Sequence, residues 1–252
     1  MSPHWNRLRE GSPLYGCFLS TGYPVNTELA ARAGFDYVII DLEHGMGSER
    51  DVLSQVHAIS ALPCAPVVRT ESHDRPRVHR LLDLGVQGVM FPRVNTAAEA
   101  AACVAAMRYQ PEGERGVATL VRASDYGASF TEYRDNSAHS LLTILQIETA
   151  EAVANVDAIA AVEGADVLYV GPMDLTTSMG IFRQYEHPAF LDALNKTVAA
   201  CRRYQRAAGI LLPAPGVARH YLDLGFSFLT CGTDTAFLLN GARAVNDGMR
   251  SA

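Results

Sequence analysis

Lysine is nearly missing from this chain of 252 residues: Lys196 is the only one, and it lies inside a segment of helical period. Schiff-base chemistry needs a lysine amine at the reacting centre, so that mechanism has no obvious nucleophile here. Cysteine is scarce too. The five present, Cys17, Cys64, Cys103, Cys201 and Cys231, are odd in number and form no Cys-x-x-Cys pair, which supports neither a disulfide framework nor a zinc site. Buried free thiols in a reducing compartment are expected instead. No stretch approaches the roughly 20 apolar residues that a membrane helix needs. The first eleven residues carry His4, Arg7, Arg9 and Glu10 without an apolar core, so they are not read as a secretory signal, and a cytoplasmic location is expected.

Positive charge is also in short supply. With 21 Lys and Arg against 27 Asp and Glu, the formal net charge is -6, and the basic residues are scattered, so nucleic acid is not an expected partner. One local cluster, Arg75, Arg77, His79 and Arg80, reads as a solvated helix face. Gly45-Met46-Gly47 follows a strand, but Arg50 stands where a dinucleotide fingerprint needs its third glycine.

What the chain does have is alternation. Hydrophobic residues make up 48% and charged residues 19%, the composition of a soluble globular protein. Short β-rich runs alternate with longer segments of helical period, such as Ala97 to Arg108 and Phe190 to Ala207. The predicted strands are Tyr15 to Leu19, Tyr37 to Asp41, Pro66 to Arg69, Gly88 to Phe91, Leu142 to Ile147, Asp166 to Val170, Ile210 to Leu212 and Phe226 to Thr230. Eight strands with intervening helices in this length fit an α/β protein folded as one closed (β/α)8 TIM barrel spanning residues 1–252. Two long connections stand out, Tyr109 to Ser140 and Thr176 to Pro188, the first rich enough in Gly, Ser, Asp and Tyr to be read as a binding loop.

In such a barrel the active site forms from loops at the strands' carboxyl ends, and four of these ends are polar. The second strand runs into Asp41-Leu42-Glu43-His44, the third ends in Arg69, the fifth in Gln146-Ile147-Glu148 and the sixth in Gly171-Pro172-Met173-Asp174. A carboxylate there is often a helix cap, and Glu148 and Asp174 both precede helical patterns. Capping does not account for Arg69 or His44. Two carboxylates with room for water and substrate oxygens suit Mg2+ or Mn2+, whereas zinc, with no cysteine nearby and one candidate histidine, fits less well. An ion held by Glu148 and Asp174 would polarise a 2-oxo acid, with Arg69 stabilising the enolate and His44 moving the proton.

These residues resemble the class II, metal-dependent pyruvate aldolases that act on 4-hydroxy-2-oxo acids and 2-dehydro-3-deoxy sugar acids. The resemblance spans nearly the whole chain and rests on Asp41-Leu42-Glu43-His44, Arg69, the 109–116 loop, Gln146-Ile147-Glu148-Thr149, and Gly171 to Leu175 with Ser178-Met179-Gly180. It implies Glu148 and Asp174 as ligands of Mg2+ or Mn2+, with Co2+ as a further candidate, His44 as acid/base and Arg69 as enolate stabiliser. Gln146, the segment Gly171, Pro172, Met173 and Asp174, and Leu212 are implied as substrate contacts. Asp83 is implied as the residue that raises the basicity of His44, although it ends the third barrel helix, on the side away from the mouth; either a neighbouring subunit delivers it, or the helix ends elsewhere than the pattern suggests, or Asp41 does that work. A homo-oligomer, a hexamer built as a trimer of dimers with exchanged C-terminal helices, is implied as well. The chain departs from the family pattern at Gly45-Met46-Gly47, where Ala-Pro-Asn is common, and at Met173, where alanine is common. These changes bear on the aldehyde partner rather than on the reaction, which is expected to yield pyruvate and an aldehyde. The rivals are an acyl-CoA lyase of the citramalyl or malyl type and a non-catalytic barrel that binds a 2-oxo acid.

Overall fold

The computed structural model describes residues 3–251. Eight parallel strands close in the order β1 (Leu14–Leu19), β2 (Tyr37–Asp41), β3 (Ala65–Arg69), β4 (Gly88–Phe91), β5 (Leu142–Ile147), β6 (Val167–Val170), β7 (Ala207–Leu212) and β8 (Phe228–Thr233), with β8 paired back to β1. The helices are α1 (Pro3–Arg9), α2 (Pro24–Arg32), α3 (Glu49–Ala58), α4 (Arg75–Asp83), α5 (Ala97–Met107), α6 (Phe130–Ser140), α7 (Ala150–Ala154), α8 (Val156–Ala160), α9 (Pro172–Ser178), α10 (Pro188–Arg203), α11 (Ala218–Leu224) and α12 (Asp234–Ser251). The (β/α)8 barrel expected from the sequence is therefore what forms.

Strand alternation builds two shells of core. Tyr37 and Ile39, Ala65 and Val67, Leu142 and Ile144, Val167 and Tyr169, and Phe228 point inward, while Val38, Ile40, Val68, Leu145, Val170 and Ile210 pack outward beneath the helices. Tyr37 and Phe228 stack in the interior with centroids 4.0 Å apart. Each such side chain, fully buried, contributes about 1.5–3 kcal/mol, so the barrel needs no covalent staple. All five cysteines are free, and all but Cys231 are buried. Trp5 on α1 joins the inner shell and donates its indole N–H to the Gln87 carbonyl at 3.0 Å, plugging the barrel's amino-terminal end. Among the described residues no helix is long and apolar enough to cross a membrane.

Three local expectations are corrected. The helical segment predicted over Phe190 to Ala207 stops at Arg203, because Gln205 takes φ 55° and the chain then enters β7 three residues earlier than expected. The Tyr109 to Ser140 connection is not a plain loop, since it holds a 3-10 turn over Arg122–Gly127 and α6. The Arg75, Arg77, His79, Arg80 face is not simply solvated: Arg77 pairs with Glu49 at 2.7 Å and Glu71 at 3.0 Å, and Arg80 also binds Glu49, tying α4 to α3. Acidic partners on a neighbouring helix are invisible to the periodicity of α4 itself.

Candidate active site

Parity carries the polar strand ends into the mouth. The inward series Tyr37, Ile39 continues to Asp41, Ala65 and Val67 continue to Arg69, and Leu142 and Ile144 continue to Gln146 and Glu148. Asp41 and Arg69 are register partners across β2 and β3, so their ion pair follows from strand pairing. It is bidentate, with Nε to Oδ1 at 3.0 Å and Nη2 to Oδ2 at 2.8 Å. The remaining guanidinium nitrogen reaches Glu43 at 3.0 Å, and the group lies 4.8 Å above the Phe18 ring. Asp41 also accepts the backbone N–H groups of Glu43 and His44 at 3.1 and 3.2 Å, which fixes the turn that presents His44. The His44 ring is open to solvent, 68% exposed, with Nε2 3.8 Å from Glu43.

Glu148 is buried as deeply as Asp41, each 4% exposed. It accepts the Gln146 amide N–H at 2.6 Å and the Arg93 backbone N–H at 3.3 Å. Gly171, next on the inward face after β6, leaves room for it: a Cβ there would overlap Glu148 Oε1. Burial first, then the negative charges of Asp174 and Glu43, push the Glu148 carboxyl up to about 8 against the pull of Arg69. Burial also raises Glu43, although Arg69 and His44 oppose it. For Arg69, burial alone would lower the pKa, but Asp41, Glu43 and Glu148 reverse that and raise it. The Gln146 carbonyl oxygen is buried with no hydrogen-bond partner. Buried carboxylates in surplus over one arginine, together with an unpaired acceptor, make a cavity short of positive charge and of a donor.

Residues 14–241 match the HpcH/HpaI aldolase/citrate lyase family. The chain belongs to that family. It is 42% identical over 236 residues to a hydroxypyruvate/pyruvate aldolase of Chromohalobacter salexigens, covering 92% of each chain. It is 38% identical over 239 residues to a 4-hydroxy-2-oxo-heptane-1,7-dioate aldolase of Salmonella arizonae, covering 94% of this chain and 90% of that one. A solved HpcH/HpaI family structure from Burkholderia cenocepacia superposes with a TM-score of 0.94 at 36% identity, covering 99% of this chain and all of the other. This HpcH/HpaI family member is an enzyme of the aldolase type, a lyase.

Of the residues singled out in the sequence, Asp41, Arg69, Gln146 and Glu148 meet in this family member's mouth, with Gly171 and Pro172 buried beside them. Asp174 lies in the first turn of α9 and acts on both Glu148 and Glu43. Met173 is half-exposed at 41%, with its sulfur 4.0 Å from the Tyr185 hydroxyl. Two expected residues stand apart from this group. Leu212 packs its side chain in the outer shell with Ile210, whereas Leu211 packs against the inner one. Asp83 ends α4 and binds Arg115 at 3.0 Å, remote from His44 within the chain, because a barrel helix returns its carboxyl end to the floor. Sequence reasoning passed over Glu43, Phe18 and Arg93 as site residues. Glu43 had a signal, its place between Asp41 and His44; Arg93 had none, since it contributes a backbone N–H from a positive φ of 50°.

Proposed function

We propose that the protein is a divalent-metal-dependent aldolase that cleaves a 4-hydroxy-2-oxo acid to pyruvate and an aldehyde and also runs the addition in reverse. The observation that carries this reading is Glu148, a buried carboxylate beside other carboxylates and under an unpaired Gln146 carbonyl. Glu148 and Asp174 would hold Mg2+ or Mn2+, with Co2+ able to use the same oxygens. Among the described residues no three His, Cys, Asp or Glu side chains gather as a metal cluster, and hard ions that keep several waters need no such cluster. When bound, the ion supplies Lewis-acid stabilisation of negative charge on the 2-oxo acid.

The chain's own groups do the rest. Arg69, held by Asp41 and Glu43, presents its guanidinium to the oxygen that becomes negative when the C3–C4 bond breaks. His44 takes the proton of the C4 hydroxyl in cleavage and moves the C3 proton of pyruvate in exchange. Gln146 and the backbone from Gly171 to Asp174 line the pyruvate part, with Leu211 on the inward face of β7. Met173 and the exposed Met46 border the space for the aldehyde. The relatives' names supply two donors to compare, pyruvate and hydroxypyruvate.

The same reading extends to assembly and compartment. Only Asp234 of α12 is buried, while Leu238, Val245 and Met249 are exposed, and an apolar groove of about 430 Å³ runs between α2 and α12. These features suit a helix exchanged between subunits of a hexamer, in which one subunit's Asp83 comes near another's His44. Free thiols suit a cytoplasmic enzyme. One domain carries the whole activity.

The test is deuterium exchange at the pyruvate methyl group in heavy water, followed by proton NMR with metal, with chelator and with Glu148→Ala. Exchange that requires both metal and Glu148 is expected. Exchange that persists without either sinks the metal assignment. No exchange with any of the three metals removes the pyruvate reading and turns the search to CoA thioesters.

A further inference from the structure

Asp234 opens α12 at the end of β8, 6% exposed, and its carboxylate collects far more donors than a helix cap needs. Oδ1 accepts the Ser20 backbone N–H at 2.8 Å and that of Thr235 at 2.9 Å. Oδ2 accepts the Thr21 backbone N–H at 3.2 Å, the Asn26 amide at 3.2 Å and the Thr21 hydroxyl. Most of these donors come from the loop that follows β1, and among the described residues no cation pairs with the carboxylate. That loop in turn touches the one bearing His44. The Ser20 carbonyl accepts the Met46 N–H at 2.7 Å, and Gly22 and Gly47 meet backbone to backbone, so close that a Cβ on Gly22 would stand 2.8 Å from the Gly47 Cα. The His44 backbone is thereby held from two sides, by Asp41 directly and by Asp234 through Ser20 and Met46.

We propose that Asp234 is a positioning residue for His44, acting through Ser20 and Met46 and never touching substrate. Because Asp234 is also the first residue of α12, one carboxylate sets both the seat of that helix and the place of the proton-transfer group. The inference rests on the reading of His44 given above. Within one subunit the exposed His44 ring has little packing of its own to orient it, so the loop backbone sets where the ring starts from, and small misplacement of a reacting group costs rate steeply.

The experiment is a double-mutant cycle on pyruvate methyl exchange, with Asp234→Asn and Gly47→Ala each made alone and in a His44→Ala background. Gly47→Ala crowds the contact between the two loops, its Cβ falling 3.1 Å from the Gly22 Cα, without touching Asp234 or α12, so it tests the link from Ser20 to the His44 loop even if Asp234→Asn folds poorly. In the His44 background each substitution should lower kcat by about tenfold or more while KM for pyruvate stays within about twofold. In the His44→Ala background each should change kcat by about twofold or less, since the group being positioned is gone. Equal losses in both backgrounds would overturn the inference and leave Asp234 a structural cap. If His44→Ala alone leaves kcat unchanged, the proton-transfer reading fails and this inference fails with it, a result distinct from additivity.

Discussion

Two arginines divide this barrel between them, Arg115 buried and Arg69 half-buried at the mouth. Arg115 has its side chain fully buried, bonds to Asp83 at 3.0 Å and to the Tyr133 hydroxyl at 2.9 Å, and lies 4.5 Å over the Tyr109 ring. Arg69 likewise binds an aspartate and lies over an aromatic ring, yet it faces Glu43 and Glu148 as well as Asp41. Around Arg115 one positive charge meets one negative charge and the remaining contacts are phenols, so the charges balance, with Arg115 Nε and the Tyr109 hydroxyl left buried without hydrogen-bond partners. At Arg69 the negative charge is in surplus, and burial leaves it uncompensated. Surplus buried charge is a cost that a structural strut has no reason to carry, and it is what separates the site from the scaffold.

The same substitution at the two positions should break the symmetry. Arg69→Lys keeps the charge but loses the bidentate fork, and turnover in pyruvate exchange should fall by roughly 100-fold with little change in denaturant midpoint. Arg115→Lys should instead cost about 2–3 kcal/mol in urea unfolding while turnover per folded molecule holds. A fall in turnover at both positions would erase the distinction between site and scaffold.

Metal linkage sharpens the comparison further. Glu148 favours its neutral form in the fold, so its contribution to stability is complete below the ordinary carboxylate value of 4.5 and is lost as pH rises through about 8. Metal-free protein should therefore lose thermal stability across that window, and adding Mg2+ or Mn2+ near neutral pH should restore it with release of a proton. Glu148→Gln should flatten the pH dependence and release no proton, as titration calorimetry in buffers of different ionisation enthalpy would register. Nothing comparable is expected around Arg115, where Tyr109 is pushed up to about 12 by burial and stays protonated throughout.

The smallest expected effect is that of Asp83→Asn, about 1–3 kcal/mol of stability through the weakened partner of Arg115. Turnover that falls while stability holds would instead show Asp83 at work beside the His44 of another copy.

Much of the site was legible because alternation has a period of two. Once Tyr37 and Ile39 are placed inward, Asp41 follows. The same step takes Val67 to Arg69 and Ile144 to Gln146 and Glu148. At β7 the same period puts Leu211 on the inner face and Leu212 on the outer one, since a shift of one residue along a strand moves a side chain to the opposite face. Helix ends were less legible, since the left-handed turn at Gln205 has no glycine to announce it.

By itself the sequence determined the barrel, the strand ends that face one another and the absence of a lysine nucleophile, because these depend on residue type and short-range period. Only the tertiary structure decided that Glu43 joins Arg69, that Arg93 lends Glu148 a backbone N–H, that Arg115 claims Asp83, and that Asp234 reaches across more than 200 residues to the loop holding His44. Those contacts depend on which distant segments the closed sheet brings together, and no local pattern encodes that.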